Sequence, residues 1–388
     1  MSFAILGSLA GGIGLFLLGM HLMTQGLRQA AGKSLKSALH AATESRLKGL
    51  LSGTLITAIV QSSSAVTVAT IGFVNAGLLT IPQSVAIIYG CNIGTTMTSW
   101  LVALVGFKMK ISAFALPLIA LGMLMNLAAP KEKVRQIGFA VAGFGVFFIG
   151  LDFLKESFED LEKSVDLTII SALPLSLLLF LVAGFVLTFL MQASAASMAI
   201  TLSLAATGSI NITDAAALVI GANLGTTSTA MLAVIGATPN AKRIAAAHVI
   251  FNLTTGVVGF LLLIAFSSEV NRLSNGPLTT VTLLALFHTL FNALGVCIMW
   301  PITDFMVKQL MKRFLSQEEN ASKPQYLDKN ILATPYLAVE AMSMELGRVS
   351  RLSNSMALAA VSEEGPNPPQ LEKDMISVMA LVAAVGHF

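Results

Sequence analysis

The sequence predicts an all-α polytopic membrane protein built from two inverted-topology repeats, each with a re-entrant helical hairpin and a discontinuous transmembrane helix. Three observations predict it. The 388 residues are 55% hydrophobic and only 11% charged, with a mean hydropathy of +0.81, too little charge for a soluble chain of this length. Apolar stretches long enough to cross the hydrocarbon core recur along it. Residues 53–101 also align without a gap onto residues 184–232, at a constant offset of 131, with identity at 16 of 49 positions. Chance would give roughly a tenth in such a composition.

The elements follow in order. The first apolar stretch, about 3–23, has no basic residue before it and no small-residue cleavage site after it, so it reads as a retained span and not a signal peptide. Gly32 to Gly49 has a basic face with sparse apolar positions and reads as a segment lying along the cytoplasmic interface. Residues 48–77 and 176–208 are interrupted near their midpoints, at Gln61-Ser62-Ser63-Ser64 and Gln192-Ala193-Ser194-Ala195, and read as hairpins that enter and leave on one face. Residues 82–106 and 213–237 are apolar at both ends but carry Gly90-Cys91-Asn92-Ile93-Gly94-Thr95-Thr96 and Gly221-Ala222-Asn223-Leu224-Gly225-Thr226-Thr227 between them, and read as discontinuous helices. Stretches at 111–129, 137–154, 242–266 and 278–303 are ordinary spans. Cys91 and Cys297 lie far apart in apolar segments, which predicts buried thiols, no disulfide framework and no metal site. The net charge of +3 gives no case for nucleic acid.

Basic residues set the sidedness, because cytoplasmic loops carry excess Lys and Arg. Threading seven crossings and two hairpins puts Arg28, Lys33, Lys36, Arg46, Lys48, Lys131, Lys133, Arg135, Lys242 and Arg243 on one side, against Lys108, Lys110, Lys155, Lys163 and Arg272 on the other. The richer side is the cytoplasmic one, which places the N-terminus outside and the C-terminus inside a cell membrane, plasma or inner. The two repeats, about 3–106 and 137–237, then start in opposite directions and are inverted. The equivalence reaches their leading helices, where Gly12, Gly14, Phe16 and Gly19 recur as Gly143, Gly145, Phe147 and Gly150.

Inverted repeats with broken helices are the architecture of secondary transporters, with the site at the repeat interface. The interruptions contain hydroxyls and amides but no Asp, Glu, Lys or Arg. Ser and Thr hydroxyls with free N–H groups at helix N-termini suit an oxyanion such as phosphate. Asn92, Thr95, Thr96, Asn223, Thr226 and Thr227, with carbonyls beside Gly90 and Gly221, suit a weakly held hard cation, and sodium fits better than a proton because no titratable group stands there. Taken singly, such hydroxyls commonly bond back to their own helix, and glycine patches serve close packing; repetition at one offset is what raises the paired motifs above that reading. His21, His248, His288, Asn252 and Asn292 are lone polar groups on spans and read at least as readily as packing and helix-to-helix hydrogen bonding. No nucleophile sits with a base at a usable spacing, and no metal-ligand cluster occurs, so an enzyme is not expected.

Gln61-Ser62-Ser63-Ser64, the second copy Gln192-x-Ser194, and the paired Gly-x-Asn-x-Gly-Thr-Thr stretches resemble the type II sodium-dependent phosphate cotransporters and their bacterial relatives, over about residues 5–312. The resemblance implies sodium-driven uptake of inorganic phosphate by alternating access. Gln61, Ser62, Ser63, Ser64, Gln192 and Ser194 would line the phosphate and sodium region, and Asn223, Thr226 and Thr229 would match sodium-site residues. No cofactor is implied beyond sodium as coupling ion. The partners are phosphate, sodium and the bilayer, with a homo-oligomer left open. The second copy departs from the family pattern at Ala193, Ala195 and Ala222, each a lost oxygen ligand, so the number of sodium ions stays open. A carrier of another oxyanion or a dicarboxylate, and a non-transporting phosphate sensor, are the alternatives.

The membrane region is expected to span residues 1–312, followed by a cytoplasmic tail, 313–388, that resembles the start of a PhoU-like helical region. Met342, Leu346, Val349 and Met356 share one helical face there. About one and a half helices cannot bury a core alone, so the tail is expected to pack on a partner or to continue beyond residue 388.

Overall fold

A computed structural model describes residues 3–41, 45–75, 78–103, 112–162, 168–171, 173, 175–235, 237–274, 278–313, 324–328, 331–332, 335–361 and 368–388. Among them, regular structure is helical throughout. The helices are α1 (Phe3–Ala41), α2 (Arg46–Val60), α3 (Ser63–Asn75), α4 (Ile81–Leu101), α5 (Ser112–Ala128), α6 (Glu132–Glu162), α7 (Thr168–Ser171), α8 (Ser176–Met191), α9 (Ser194–Thr207), α10 (Ile212–Ala233), α11 (Pro239–Ala265), α12 (Ser267–Ser274), α13 (Thr280–Arg313), α14 (Pro335–Ala360) and α15 (Pro368–His387). Five stretches among the described residues are long and apolar enough to cross a membrane: Leu6–Ala31, Glu132–Leu161, Ile212–Ala233, Pro239–Ala265 and Thr280–Arg313.

Polarity is distributed as lipid demands. Leu116, Leu124 and Leu127 on α5, Leu253, Val257 and Leu261 on α11, and Leu290, Ile298 and Phe305 on α13 are exposed, while Asn92, Asn223, Asn252, His288 and Asn292 are buried. Water would penalise that outer surface, whereas hydrocarbon tolerates it and drives the polar groups inward. The protein is a multi-pass helical membrane protein.

Packing repeats with the sequence. Gly19 of α1 lies against Phe147 of α6 and Gly150 of α6 against Phe16 of α1; likewise Gly12 meets Leu154, and Gly143 meets Met23. Each pair is one contact seen from both sides of the 131-residue offset. As numbering rises along α1 it falls along α6, so these equivalent helices run antiparallel. Helix starts also correspond. Thr80 caps α4 with a capping box completed by Gln83, and its equivalent, Asn211, caps α10 through the Asp214 N–H, each satisfying an orphan donor of the first turn.

Three expectations are corrected. α4 and α10 are continuous, not discontinuous. The threonines of the Gly-rich stretches bond back along the helix, Thr95 to the Cys91 carbonyl at 2.8 Å and Thr226 to that of Asn223 at 2.7 Å, and the glycines admit a neighbouring backbone. A methyl group on Gly90 would overlap the Leu50 carbonyl of α2, and one on Gly221 would overlap the Leu181 carbonyl of α8. The chain does break between α2 and α3 and between α8 and α9, where the sequence places the interruptions of residues 48–77 and 176–208. Residues 32–41 continue α1, which at 39 residues is about 58 Å long, so helix and not a separate surface segment carries the chain away from the first span. Cys91 is buried but Cys297 is exposed, because it sits on the outward face of α13.

The tail packs on the rest of the same chain. Ile331, Leu337 and Ala341 are buried in one cluster with Ile71, Phe73 and Val74 of α3, and Ile331 and Leu337 close over Gly72. The fully buried Glu345 accepts hydrogen bonds from the N–H groups of Gln325 and Tyr326, both at 2.8 Å, and pairs with Arg348 at 2.6 Å. Satisfying a buried carboxylate this way holds the strand of chain leading into α14. Gly72→Val is expected to lift the tail, seen as faster limited proteolysis between residues 324 and 335; an unchanged cleavage rate would show that this contact does not hold it.

Candidate functional site

The two breaks are built alike. Gln61 ends α2 with φ 55° and Gln192 ends α8 with φ 50°, the only non-glycine residues with positive φ among those described. Left-handed backbone is uncommon outside glycine. Each glutamine compensates with its own side chain, Gln61 Nε2 donating to the Ala58 carbonyl at 2.5 Å and Gln192 Nε2 to the Phe189 carbonyl at 2.6 Å, so a carbonyl orphaned by the helix end is satisfied. A new helix starts within two residues, α3 at Ser63 and α9 at Ser194. The Ser62 hydroxyl accepts from the Ala65 N–H at 3.3 Å, whereas Ala193 offers α9 no side-chain cap.

Both new helices begin at one cavity of about 270 Å³, lined by Leu17, Met20, His21, Thr24, Gln61, Ser62, Ser63, Ser64, Thr95, Thr98, Gln192, Ala193, Ser194 and Ala195. All six residues expected to line the phosphate region are brought together here. The cavity is level with the middle of the apolar stretch of α1, no Asp, Glu, Lys or Arg lines it, and its volume suits a small ion. The leading N–H groups of a helix have no intrahelical partner and carry the positive end of its dipole. Two such ends and a ring of hydroxyls therefore favour an oxyanion without any full positive charge.

A second cavity of about 30 Å³ adjoins the first at Ser64 and is lined by Thr67, Val68, Ile71, Thr226, Thr229, Ala230, Ala233, Ala245 and His248. Ser64, Thr67, Thr226 and Thr229 border a space the size of one water or one small cation whose walls are almost wholly apolar. Of the expected sodium residues, Thr226 and Thr229 are here and Thr95 faces the main cavity. Asn92, Thr96, Asn223 and Thr227 line neither. Asn92 donates to the Ile88 carbonyl at 3.0 Å, Thr96 to that of Ile93 and Thr227 to that of Leu224, both at 2.7 Å. Asn223 donates to Asn252 Oδ1 at 2.8 Å and to Thr255 at 3.3 Å, tying α10 to α11. With α4 and α10 unbroken, Asn92, Thr96 and Thr227 bond back along their own helices, and Asn223 ties one helix to another.

Sequence reasoning passed over Thr98, Thr24 and Thr67, and set His21 aside. Thr98 carries a readable signal, the same offset from Thr229 that links the glutamines. Thr67 has none, because its counterpart is Met198.

Apolar spans, repeated helix breaks and an uncharged polar cavity between two helix N-termini define a multi-pass membrane protein with an internal binding site. The chain belongs to the Na+/Pi-cotransporter family, whose profile matches residues 15–156 and 163–296. This is a family of membrane transporters. The chain is 31% identical to "Uncharacterized protein YqeW" of Bacillus subtilis over 76% of its length and 93% of that relative. It is 26% identical to "Putative inorganic phosphate export protein YjbB" of Escherichia coli K12, over 94% of this chain but 66% of that one. A shorter stretch of 92 residues is 35% identical to "Sodium-dependent phosphate transport protein 2A" of Ovis aries, covering 23% of this chain and 14% of that protein. No solved structure matches the chain.

Proposed function

We propose that this protein is a sodium-coupled transporter of inorganic phosphate working by alternating access. The observation that carries the reading is the convergence of the α3 and α9 N-termini, with the hydroxyls of Ser62, Ser63, Ser64 and Ser194, on one uncharged cavity at mid-span depth. Phosphate sits between the two tips. Sodium binds beside the tips, near Ser64, Thr226 and Thr229, the hydroxyl-bearing residues that border the smaller cavity; a threonine that donates to its own helix still accepts through its remaining lone pairs. The antiparallel course of the equivalent helices α1 and α6 supports inverted repeats, and helix pairs α2–α3 and α8–α9 then act as re-entrant hairpins. Arg46 pairs with Asp304, and Arg243 reaches the Met311 carbonyl at 3.5 Å, so the basic ends and the start of the 313–388 tail gather on one side, in keeping with a cytoplasmic C-terminus.

Radiolabelled phosphate uptake into proteoliposomes tests this. An inward sodium gradient is expected to drive accumulation, with sulfate and succinate competing weakly. Uptake indifferent to sodium, or to unlabelled phosphate, would overturn the reading. The name of the Escherichia coli relative raises net export as a second reading. Release of preloaded phosphate down an outward gradient, with no accumulation under inward sodium, would favour it.

A further inference from the structure

The two halves carry the same pair of residues at the break, yet only one pair is joined. Thr98 and Gln61 stand at the same offset from Thr229 and Gln192, with all four identities kept. In the first half Thr98 Oγ1 donates to Gln61 Oε1 at 2.8 Å, completing the hold on a carboxamide whose Nε2 already binds the Ala58 carbonyl. In the second half Gln192 makes only the equivalent bond to Phe189, and no hydrogen bond joins it to Thr229, which faces the smaller cavity with Ser64 and Thr67.

The two halves are anchored differently, α10 to α11 through Asn223 and α4 to α13 beside Thr98. Ser99 and Trp100, the two residues after Thr98, bond to α13 through His288 Nδ1 at 3.0 Å and Thr289 Oγ1 at 2.9 Å. Their counterparts Ala230 and Met231 have no group that could do so. α4 is thus tied to α13 beside Thr98.

A chain whose equivalent helices run antiparallel has, to first approximation, a second state in which the halves exchange roles. Bonds made in one half and open in the other mark what changes between them. We propose that the two Thr–Gln pairs are alternating latches: Thr98 closes on Gln61 in the conformation described here, and Thr229 closes on Gln192 in the conformation of opposite access. Thr98 and Thr229 are then positioning residues for the two tips. This rests on the alternating-access reading above.

The test reads access directly. Thr24 lines the main cavity, so Thr24→Cys, in a background of Cys91→Ala, which copies Ala222, and Cys297→Ser, reports entry of a membrane-impermeant maleimide applied to reconstituted vesicles from each side in turn. Thr98→Val is expected to slow labelling from the side to which the cavity opens by about fivefold, roughly the effect of one hydrogen bond on a two-state population. Thr229→Val is expected to change it in the opposite direction, and Thr98→Ser, which keeps the hydroxyl, to restore the original rate. Shifts of the same sign in both valine variants, or no shift in a Thr98→Val protein that still elutes as a single species, would overturn the latches. Phosphate uptake into vesicles of the protein with Thr24 intact separates the two ideas. Opposite shifts without uptake would keep the latches and remove phosphate, whereas uptake with unresponsive labelling would remove the latches alone.

Discussion

Gly221→Val is expected to leave almost no correctly folded protein. The α8–α10 contact is a backbone-on-backbone approach in which a methyl group at residue 221 would overlap the Leu181 carbonyl oxygen, with the Phe185 amide close behind. A side chain in the way could rotate aside, but a helix carbonyl cannot without moving the whole helix, so overpacking here exceeds the usual 1–3 kcal/mol or so of a tight core. Gly90→Val, against the Leu50 carbonyl of α2, is the same experiment in the first repeat and should fail in the same way. Gly14→Val is the control: nothing lies near a methyl group there. Yield of monodisperse protein in detergent and its melting temperature are the readouts. Wild-type behaviour of Gly221→Val would show that α8 and α10 do not approach this closely.

Alanine at all of Ser62, Ser63 and Ser64 is expected to lower phosphate uptake by well over tenfold, whereas Ser194→Ala costs less. The first tip offers three hydroxyls, one of which also caps α3, while the second has Ala193 and Ala195 flanking a single serine. Hydrogen bonds to a charged partner are worth about 1.5–3 kcal/mol each, so losing two or three outweighs losing one. The expected signature is a raised KM for phosphate in the triple variant. Equal losses from the two tips would show that the asymmetry of the motif has no bearing on binding.

These predictions also separate what could be read in one dimension from what could not. The hydroxyl-rich tips were legible because polar residues repeated at one offset inside apolar stretches have no cheap explanation in lipid. Gln61, Ser62, Ser63, Ser64, Gln192 and Ser194 line one cavity. The Gly-x-Asn-x-Gly-Thr-Thr stretches were misread for the opposite reason. Glycine and threonine in a helix are compatible both with unwinding and with close approach, and nothing local distinguishes them. Asn223 turned from a cation ligand into a tie between α10 and α11 once Asn252 stood opposite it. Thr98 was legible through Thr229 but was passed over, and Thr67 was not, since its partner in the repeat is a methionine.

By itself, then, the sequence determined the membrane class, the repeat, the positions of the two breaks and the polar groups gathered there. All of these follow from local polarity and self-similarity, which are properties of the chain. Only the tertiary structure decided that α4 and α10 stay whole, that a second small cavity adjoins the first at Ser64, and that the Thr98–Gln61 bond is made while its twin is open. Each depends on which backbone or side chain arrives from a helix distant in sequence, and that is set by packing of the assembled bundle.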